Sequence, residues 1–475
     1  MKDMLATHTR TDIDSTPERG LREGDATVAV SMPDSTPPIP RGEGHIGRVV
    51  AGSLIAGIVT AGVFVAGPFA GAKEHVVTGS VLLAFAAAWA ALALLSQRWT
   101  NQPQRWALAP AVFMGLAGTG VLVFARNGNP FGWVWPPAAT LLTIWMVVQA
   151  GRNLRSRTRV WVLYPVIAVF ALSAFGGGYE MYRETAGKVG YPMPGRQIDV
   201  GGHRLHINCT GTGSPTVVLE PGLGEPSTAM GLIAPAVATT TRVCVYDRAG
   251  RGWSETAASP QDGLEVATDL HTLLEAAGEP GPYILAGHSA GGIYVLNFAH
   301  LYPQQVAGVV LLDSMHPEQY TKIASWLPFY EMFRRVSALL SPLSRMGVGR
   351  VLYQGAYSDL PALARDEQRS FWSTPLHARS VRDEFSQLRT AMTQAQALTS
   401  LGDRPLVVVT AQLEASDGWM PAQDDLASLS TNSAHRVLAE ATHASLTENQ
   451  SIAAQSSQAV RDVVNSVRTG TPLAG

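Results

Sequence analysis

Apolar and polar positions divide the chain into two parts with different periods. Five long apolar stretches that contain no Asp, Glu, Lys or Arg come first, at 49–70, 76–96, 106–125, 134–150 and 160–179. Each is close to the ~20 residues that a helix needs to cross a bilayer. Tryptophans lie at several ends of these stretches, where amphipathic rings favour the headgroup region. The pattern therefore predicts a bundle of five transmembrane helices.

Basic residues between the stretches predict the orientation of this bundle. One side would carry seven arginines: Arg48, Arg98, Arg105, Arg152, Arg155, Arg157 and Arg159. The other side would carry four basic residues: Lys73, Arg126, Arg183 and Lys188. Because basic loops stay in the cytoplasm, the N-terminus is predicted to be cytoplasmic. Five spans then place everything after residue 179 outside the cytoplasm, and this conclusion reverses if the short fourth stretch does not span.

The remaining segments complete the predicted domain organisation. Residues 1–44 are rich in Pro, Ser, Thr, Asp and Gly, so we expect a disordered cytoplasmic tail before a transmembrane domain at 45–180. A linker at 181–196 follows. From there short apolar runs alternate with helical patterns, which favours a mostly parallel sheet with helices on both faces.

Overall composition adds little to the prediction of membrane-spanning helices. Charged residues are 15 % of the chain and the formal net charge is −2, so no basic surface points to a nucleic-acid partner. We find no cluster with metal-ligand spacing and expect neither a metal nor another cofactor. Partners are predicted to be a small acyl substrate and the lipid bilayer, while protein partners stay open.

One short segment carries a candidate for chemistry. In "YILAGHSAGG" an apolar run ends at Gly287-His288-Ser289-Ala290-Gly291, and a helical pattern follows. A serine nucleophile on a sharp strand-to-helix turn needs small residues two positions away on either side, which is the Gly-x-Ser-x-Gly pattern. A helix-capping serine in a glycine-rich turn is the structural alternative.

The second part of the chain resembles the α/β-hydrolase fold superfamily. The resemblance rests on "GHSAGG", on "YDRAGRGWS" at 246–254, on "VVLLDSMHPEQ" at 309–319 and on "ATHASL" at 441–446, in that order. It implies an eight-stranded, mostly parallel sheet with an antiparallel second strand, and Ser289 after the fifth strand. The core would occupy 197–314 and 403–470. The intervening 315–402, with helical periodicity, would form a helical cap over the site.

A serine hydroxyl needs a neighbouring base, and in this superfamily the acid and then the histidine follow the serine. His443 fits that order, with His316 as a second candidate and His288 interpreted as packing beside the serine. Asp313, directly at a strand end, is favoured as the acid, and Asp417 in a later loop is the alternative.

Further residues take roles that the resemblance implies. The backbone amides of Leu223 and Ala290 would stabilise the oxyanion. Cys209 and Cys244 fall on neighbouring strands and would form a disulfide outside the cytoplasm. The charged residues of "DRAGRGWS" (Asp247, Arg248 and Arg251) are interpreted as mostly structural, with an anionic-substrate site as the alternative.

These inferences predict a multi-pass cell-membrane protein that is a serine hydrolase of the carboxylesterase or lipase type. It would cleave an ester or related acyl bond through a Ser-His-Asp triad and an acyl-enzyme. An acyltransferase using the same triad and a non-catalytic membrane sensor or scaffold with a hydrolase-like domain are the alternatives.

Overall fold

The computed structural model describes residues 45–66, 74–124, 133–154, 157 and 159–473. The predicted disordered tail 1–44 lies outside the described residues, as do Lys73, Arg126 and Arg155 of the orientation argument. Five helices form the N-terminal part: α1 (His45–Ala66), α2 (Glu74–Trp99), α3 (Leu108–Phe124), α4 (Trp135–Asn153) and α5 (Tyr164–Gly190). Helix α5 continues through most of the predicted linker.

The prediction of five membrane spans is corrected to four candidate spans. His45–Val63, His75–Trp99, Arg105–Phe124 and Val160–Arg183 are long and apolar enough to cross a membrane. The fourth predicted stretch forms α4, which does not reach the same hydropathy. Two prolines near its start and Gln149, Arg152 and Asn153 near its end lower its apolar character.

Helix α4 nevertheless runs back along the bundle between α3 and α5. At one end Gln104, just before α3, donates a side-chain hydrogen bond to the carbonyl of Asn153 at 3.2 Å. At the other end Pro136 of α4 lies against Gly178 of α5. The carboxyl end of α5 is therefore found where α4 begins, and α5 runs antiparallel to α4.

The predicted eight-stranded sheet with a single antiparallel second strand is confirmed. Its order is β1-β2-β4-β3-β5-β6-β7-β8, and β2 runs antiparallel to both of its neighbours while β3 to β8 are parallel. The strands are β1 (Arg196–Asp199), β2 (Arg204–Thr210), β3 (Val217–Glu220), β4 (Val243–Tyr246), β5 (Tyr283–His288), β6 (Val306–Leu312), β7 (Leu406–Ala411) and β8 (Ser433–Leu438).

Helices cover both faces of this sheet. Successive residues of β5 and β6 alternate between two buried apolar clusters, as expected for strands buried on both sides. One face packs against α7 (Gly263–Ala277) and α8 (Gly291–Leu301), and the other against α6 (Ile233–Ala238) and α17 (Gln450–Thr469). Two further helices flank the last strand: α15 (Trp419–Ala427) and α16 (Ser445–Glu448).

A helical segment between β6 and β7 forms the predicted cap. Its helices are α9 (Gln319–Lys322), α10 (Trp326–Val336), α11 (Leu340–Arg345), α12 (Val348–Leu352), α13 (Ala362–Trp372) and α14 (Pro375–Ala395). Phe385 of α14 lies within an aromatic cluster with Tyr330 and Phe333 of α10, at ring-centroid distances of 4.9 and 4.6 Å. The long α14 also packs on α7 and α8, so it joins the cap to the sheet domain.

The cap also contacts the N-terminal helices. Arg350 of α12 forms a two-contact ion pair with Glu180 of α5, at 2.7 and 3.0 Å, and both side chains are largely buried. Ala338, just after α10, is buried against Val77 of α2. A β-carbon at Gly176 of α5 would collide with the carbonyl of Met346, so glycine permits this close approach.

The two cysteines of the chain are directly opposite each other on neighbouring strands. Cys209 of β2 and Cys244 of β4 are partners in the strand register. The structure joins them in a disulfide. This bond ties the antiparallel β1–β2 hairpin to the parallel part of the sheet.

Candidate active site

The candidate nucleophile lies on a strained turn between β5 and α8. Ser289 has a φ of 56°, which is uncommon for a non-glycine residue. A β-carbon at Gly287 would lie 2.6 Å from the amide nitrogen of Gly292, and one at Gly291 would collide with the carbonyl of Glu220. The two glycines of the Gly-x-Ser-x-Gly pattern are thus required by close backbone approach.

Strand pairing brings the favoured acid beside this turn. The last residues of β5 and β6, His288 and Leu312, are partners in the parallel register, so Ser289 and Asp313 follow neighbouring strand ends. Asp313 also has a positive φ, of 44°. Its carboxylate is buried and accepts hydrogen bonds from the Ala411 amide at 3.1 Å and from Trp419 Nε1 at 2.8 Å.

The structure brings His443 to Asp313. His443 lies in the loop after β8, and its Nδ1 is 2.6 Å from Asp313 Oδ2. Because a carboxylate only accepts hydrogen bonds, Nδ1 carries the proton and Nε2 is left as the acceptor that a general base requires. The other candidate acid, Asp417, is exposed, and no hydrogen bond or ion pair engages it within the described part of the chain.

A cavity of about 410 Å³ connects these groups with the cap. Ser289, Asp313 and His443 all line it. The remaining wall comes from residues of the cap and of the segment after β7: Met315, Gln319, Ile323, Ser325, Trp326, Phe329, Ala411, Glu414, Ala415, Ser416 and Trp419. No hydrogen bond joins Ser289 to His443 among the described residues, and catalytic contacts of this kind tighten when substrate binds.

The predicted oxyanion donors are available for a ligand. The amides on either side of Leu223 are both engaged, since Gly222 donates to Glu225 and Gly224 donates to Glu384, each at 2.7 Å. Within the described residues no acceptor engages the amide of Leu223 or that of Ala290. Two acidic side chains thus hold the loop after β3 while leaving the middle amide unoccupied.

Arginines of the segment after β4 support this loop from inside the protein. Arg248 and Arg251 are buried and both pair with Glu384, and Arg248 also pairs with Glu220. Burial favours a raised pKa for Glu384, but the two guanidinium groups outweigh it and lower this pKa to about 2. Asp247 is buried against His206 at 2.8 Å. These residues have structural partners, which agrees with their interpretation as mostly structural.

The two other candidate histidines have different surroundings. His316 is nearly buried and does not line the cavity. Its Nδ1 accepts a hydrogen bond from the backbone amide of Glu318 at 2.9 Å. His288 lies next to the base: its Nε2 is 3.2 Å from the carbonyl of His443, and its Nδ1 is 3.5 Å from Glu225 Oε2. His288 therefore bridges the loop after β3 and the loop that carries His443.

Opposite charges stabilise the contact between His288 and Glu225. Burial alone would lower the pKa of His288, but the neighbouring carboxylate of Glu225 raises it above the ordinary value. Burial would likewise raise the pKa of Glu225, and the contact with His288 lowers it. The Nε2 of the imidazole can donate to the His443 carbonyl, while the carboxylate of Glu225 forms an ion-pair contact on the Nδ1 side. Sequence reasoning did not identify Glu225, because nothing in its local pattern signals the contact with His288.

Replacing Glu225 by glutamine tests this positioning role. Glutamine can still accept the Gly222 amide but removes the charge that keeps His288 protonated. We expect kcat for ester hydrolysis to fall by roughly tenfold at neutral pH with little change in KM. Because Glu225 raises the pKa of His288 against the effect of burial, the deficit relative to wild type should narrow as the pH falls and His288 becomes protonated without that charge, and it should grow as the pH rises. A deficit that is constant from pH 5 to 9 would contradict the charge argument, and Glu440→Gln, at an exposed site, serves as the control.

Residues 215–450 match the family model described as alpha/beta hydrolase fold. This part of the chain belongs to the alpha/beta hydrolase fold family. The 2-hydroxymuconate semialdehyde hydrolase of Pseudomonas sp. (strain CF600) is 32 % identical over 126 residues, which cover 26 % of this chain and 44 % of that protein. The fold family and the name of this relative support a hydrolase as the class of enzyme.

Two further proteins, with different names, are similar to parts of this chain. A Hormonema carpetanum protein named Probable transporter efuK is 31 % identical over 134 residues, covering 26 % of this chain and 19 % of that protein. A thermophilic esterase from Thermogutta terrifontis of known structure is 22 % identical, with a TM-score of 0.45, and the match covers 58 % of this chain and 100 % of that one. The chain spans less than half the length of the two curated relatives, and the matched family segment excludes the five N-terminal helices.

Proposed function

We propose that the chain is a membrane-anchored serine hydrolase that cleaves an ester or a related acyl bond. The observation that carries this proposal is the hydrogen bond from His443 to the buried Asp313, formed on the wall of the same cavity that exposes Ser289. This arrangement provides a nucleophile, a base with a free ring nitrogen and a buried acid that orients the base.

The proposed reaction has two halves. The Ser289 oxygen attacks the acyl carbonyl while His443 Nε2 takes the hydroxyl proton. The resulting oxyanion accepts hydrogen bonds from the backbone amides of Leu223 and Ala290. His443 then gives the proton to the leaving oxygen, and the acyl group stays on Ser289. A water molecule then attacks the acyl carbon while His443 takes a proton from it, the bond between Ser289 and the acyl group breaks, His443 returns the proton to the Ser289 oxygen, and the free carboxylic acid leaves. Because residue 289 is serine and not aspartate, a covalent acyl-enzyme is favoured over the alkyl chemistry of dehalogenases.

Hydrolysis of 4-nitrophenyl esters of increasing acyl length by the purified full chain tests this function. We expect release of nitrophenol and of the free acid in equal amounts. An alcohol acceptor that diverts most of the acyl group into a new ester would support the acyltransferase alternative instead. Absence of turnover with every acyl length would favour the non-catalytic sensor or scaffold.

We also propose that the hydrolase domain lies outside the cytoplasm of a multi-pass membrane protein. Within the described residues four helices meet the length and hydropathy expected of spans, and the carboxyl half of α5 lies at the same end of the bundle as the start of α2. If the N-terminus is cytoplasmic, the first span places the start of α2 outside the cytoplasm, and the hydrolase domain follows α5 at that end. The cluster of loop arginines supports a cytoplasmic N-terminus, and the Cys209–Cys244 disulfide is compatible with an oxidising compartment.

Labelling in intact cells tests this orientation. Since both native cysteines form the disulfide, a cysteine introduced at the exposed Ser259 would be the free thiol. We expect Ser259→Cys to react with a membrane-impermeant maleimide in intact cells. The matched variant Asn101→Cys, in the turn between α2 and α3, should react only after permeabilisation. The reverse pattern would contradict the proposed orientation.

A further inference from the structure

Cap helix α10 has an internal aromatic side, a polar side and an exposed apolar row. Tyr330 and Phe333 face the aromatic cluster around Phe385 in the interior of the domain. On the polar side, Glu331 forms ion pairs with Arg334 and Arg335. The exposed apolar row adjoins the aromatic side, where Phe329 stacks on Phe333 with ring centroids 5.9 Å apart. With i, i+3, i+7 spacing, the row consists of Phe329, Met332 and Val336, whose exposed fractions are 42, 57 and 53 %.

This apolar row continues the surface of the membrane bundle. Helix α10 packs against α1, and the residue two positions after α10, Ala338, is buried against Val77 near the start of α2. The next cap helices lie against Gly176 and Glu180 in the carboxyl half of α5. The start of α2 and the carboxyl end of α5 are at the same end of the bundle. The row therefore lies where the bundle meets the hydrolase domain, at the level of a bilayer surface.

The same row reaches the candidate active site. Phe329, at the start of the row, also lines the cavity that contains Ser289 and His443, next to Trp326 and Ile323. The segment after β7 forms another part of the cavity wall and carries the exposed polar residues Glu414 and Ser416. One wall is thus continuous with an apolar surface at membrane level and the other faces water.

We propose that the cavity takes acyl esters directly from the bilayer, so that the substrate is a membrane-resident amphiphile with a long acyl chain. The row of Phe329, Met332 and Val336 inserts into the outer leaflet, as an amphipathic interfacial helix does. The acyl chain passes Phe329 into the cavity, and the polar head remains at the part of the wall that carries Glu414 and Ser416. Lipid, and not a protein partner, occupies the row because the contacts on either side of it are with membrane helices. This inference rests on the serine hydrolase function proposed above.

Two substrates with the same leaving group separate entry from chemistry. 4-Nitrophenyl palmitate dissolved in proteoliposomes carrying the full chain reports entry from the bilayer, and 4-nitrophenyl acetate in water reports the triad. Met332→Gln and Val336→Asn, combined, replace apolar side chains that touch neither the cavity nor the triad. We expect this double variant to lower kcat/KM for the palmitate at least tenfold and to change hydrolysis of the acetate less than twofold.

A matched control uses the same substitution away from the cap. Val437→Asn lies on β8 and is 43 % exposed, so it resembles Val336→Asn in chemistry and accessibility. It should leave hydrolysis of both esters within twofold of wild type. Equal losses of palmitate hydrolysis for Val437→Asn and for the double variant, or palmitate hydrolysis unaffected by the double variant, would overturn the inference.

A second measurement uses wild-type protein alone. Palmitate ester placed in the same vesicles as the enzyme is compared with ester placed in separate vesicles. Entry from the bilayer predicts an initial rate at least tenfold higher for the same vesicles, since only those molecules reach the cavity without crossing water. Equal initial rates would overturn the inference even if the variants fail to fold. Acetate hydrolysis that depends on Ser289 would meanwhile leave the serine hydrolase proposal intact, so the two failures are distinguishable.

Discussion

Replacing Ser289 by alanine is expected to abolish measurable ester hydrolysis, with kcat reduced by roughly 10⁴- to 10⁶-fold. The Ser289 hydroxyl is the only side-chain group in the proposed reaction that bonds to the acyl carbon, so no neighbouring residue replaces it. The oxyanion amides and the binding cavity would account for any residual rate. The measurement is nitrophenol release under saturating ester, with Ser259→Ala at an exposed site as the control.

The Ser289 variant should remain folded. Alanine fits the same turn, and the two glycines that permit it are unchanged. The thermal midpoint should therefore match wild type or exceed it, as is common when a strained catalytic residue is removed. A folded Ser289→Ala protein with more than about a tenth of wild-type activity would require another nucleophile and would end the proposed mechanism.

The second large effect is expected at the acid. In Asp313→Asn the amide can present its NH₂ group to His443, which favours the tautomer with the proton on Nε2 and removes the base. We expect kcat to fall roughly 10²- to 10⁴-fold. Asp417→Asn, the same substitution at the alternative acid, should stay within twofold of wild type, because the Asp417 side chain is exposed and forms no hydrogen bond or ion pair with the described residues.

The comparison of these two variants identifies the acid directly. Parallel ester assays, with thermal unfolding as a check on folding, are sufficient. A larger loss for Asp417→Asn than for Asp313→Asn would mean that the loop after β7 moves to His443 during catalysis and that the observed Asp313 contact is not the functional one.

Local chemistry explains why much of the fold and site could be predicted from sequence. The Gly-x-Ser-x-Gly turn requires small residues at fixed offsets, so Gly287 and Gly291 mark Ser289 without knowledge of the remaining structure. Buried parallel strands are short apolar runs, which made the sheet visible. The acid could be favoured but not decided, because both Asp313 and Asp417 follow strands whose carboxyl ends share one edge of the sheet.

Contacts between distant segments could not be predicted in this way. Glu384 approaches the loop after β3 from a cap helix 160 residues later, and Arg350 pairs with Glu180 across 170 residues. An isolated acidic residue in a helix has no local signature of its partner. The fourth apolar stretch was predicted correctly as a helix. Because that helix has polar residues near its carboxyl end and two prolines near its start, composition is a poor guide to whether it crosses the membrane.

The account depends on Ser289 being an activated nucleophile, and covalent labelling tests this most directly. A fluorophosphonate probe reacts with serine hydroxyl groups that a neighbouring base activates. The account predicts that the purified wild-type chain gains one probe mass, that peptide mapping locates it at Ser289, and that Ser289→Ala and His443→Ala proteins gain none. A folded wild-type protein that gains no probe mass, or gains it at another residue, would contradict the account.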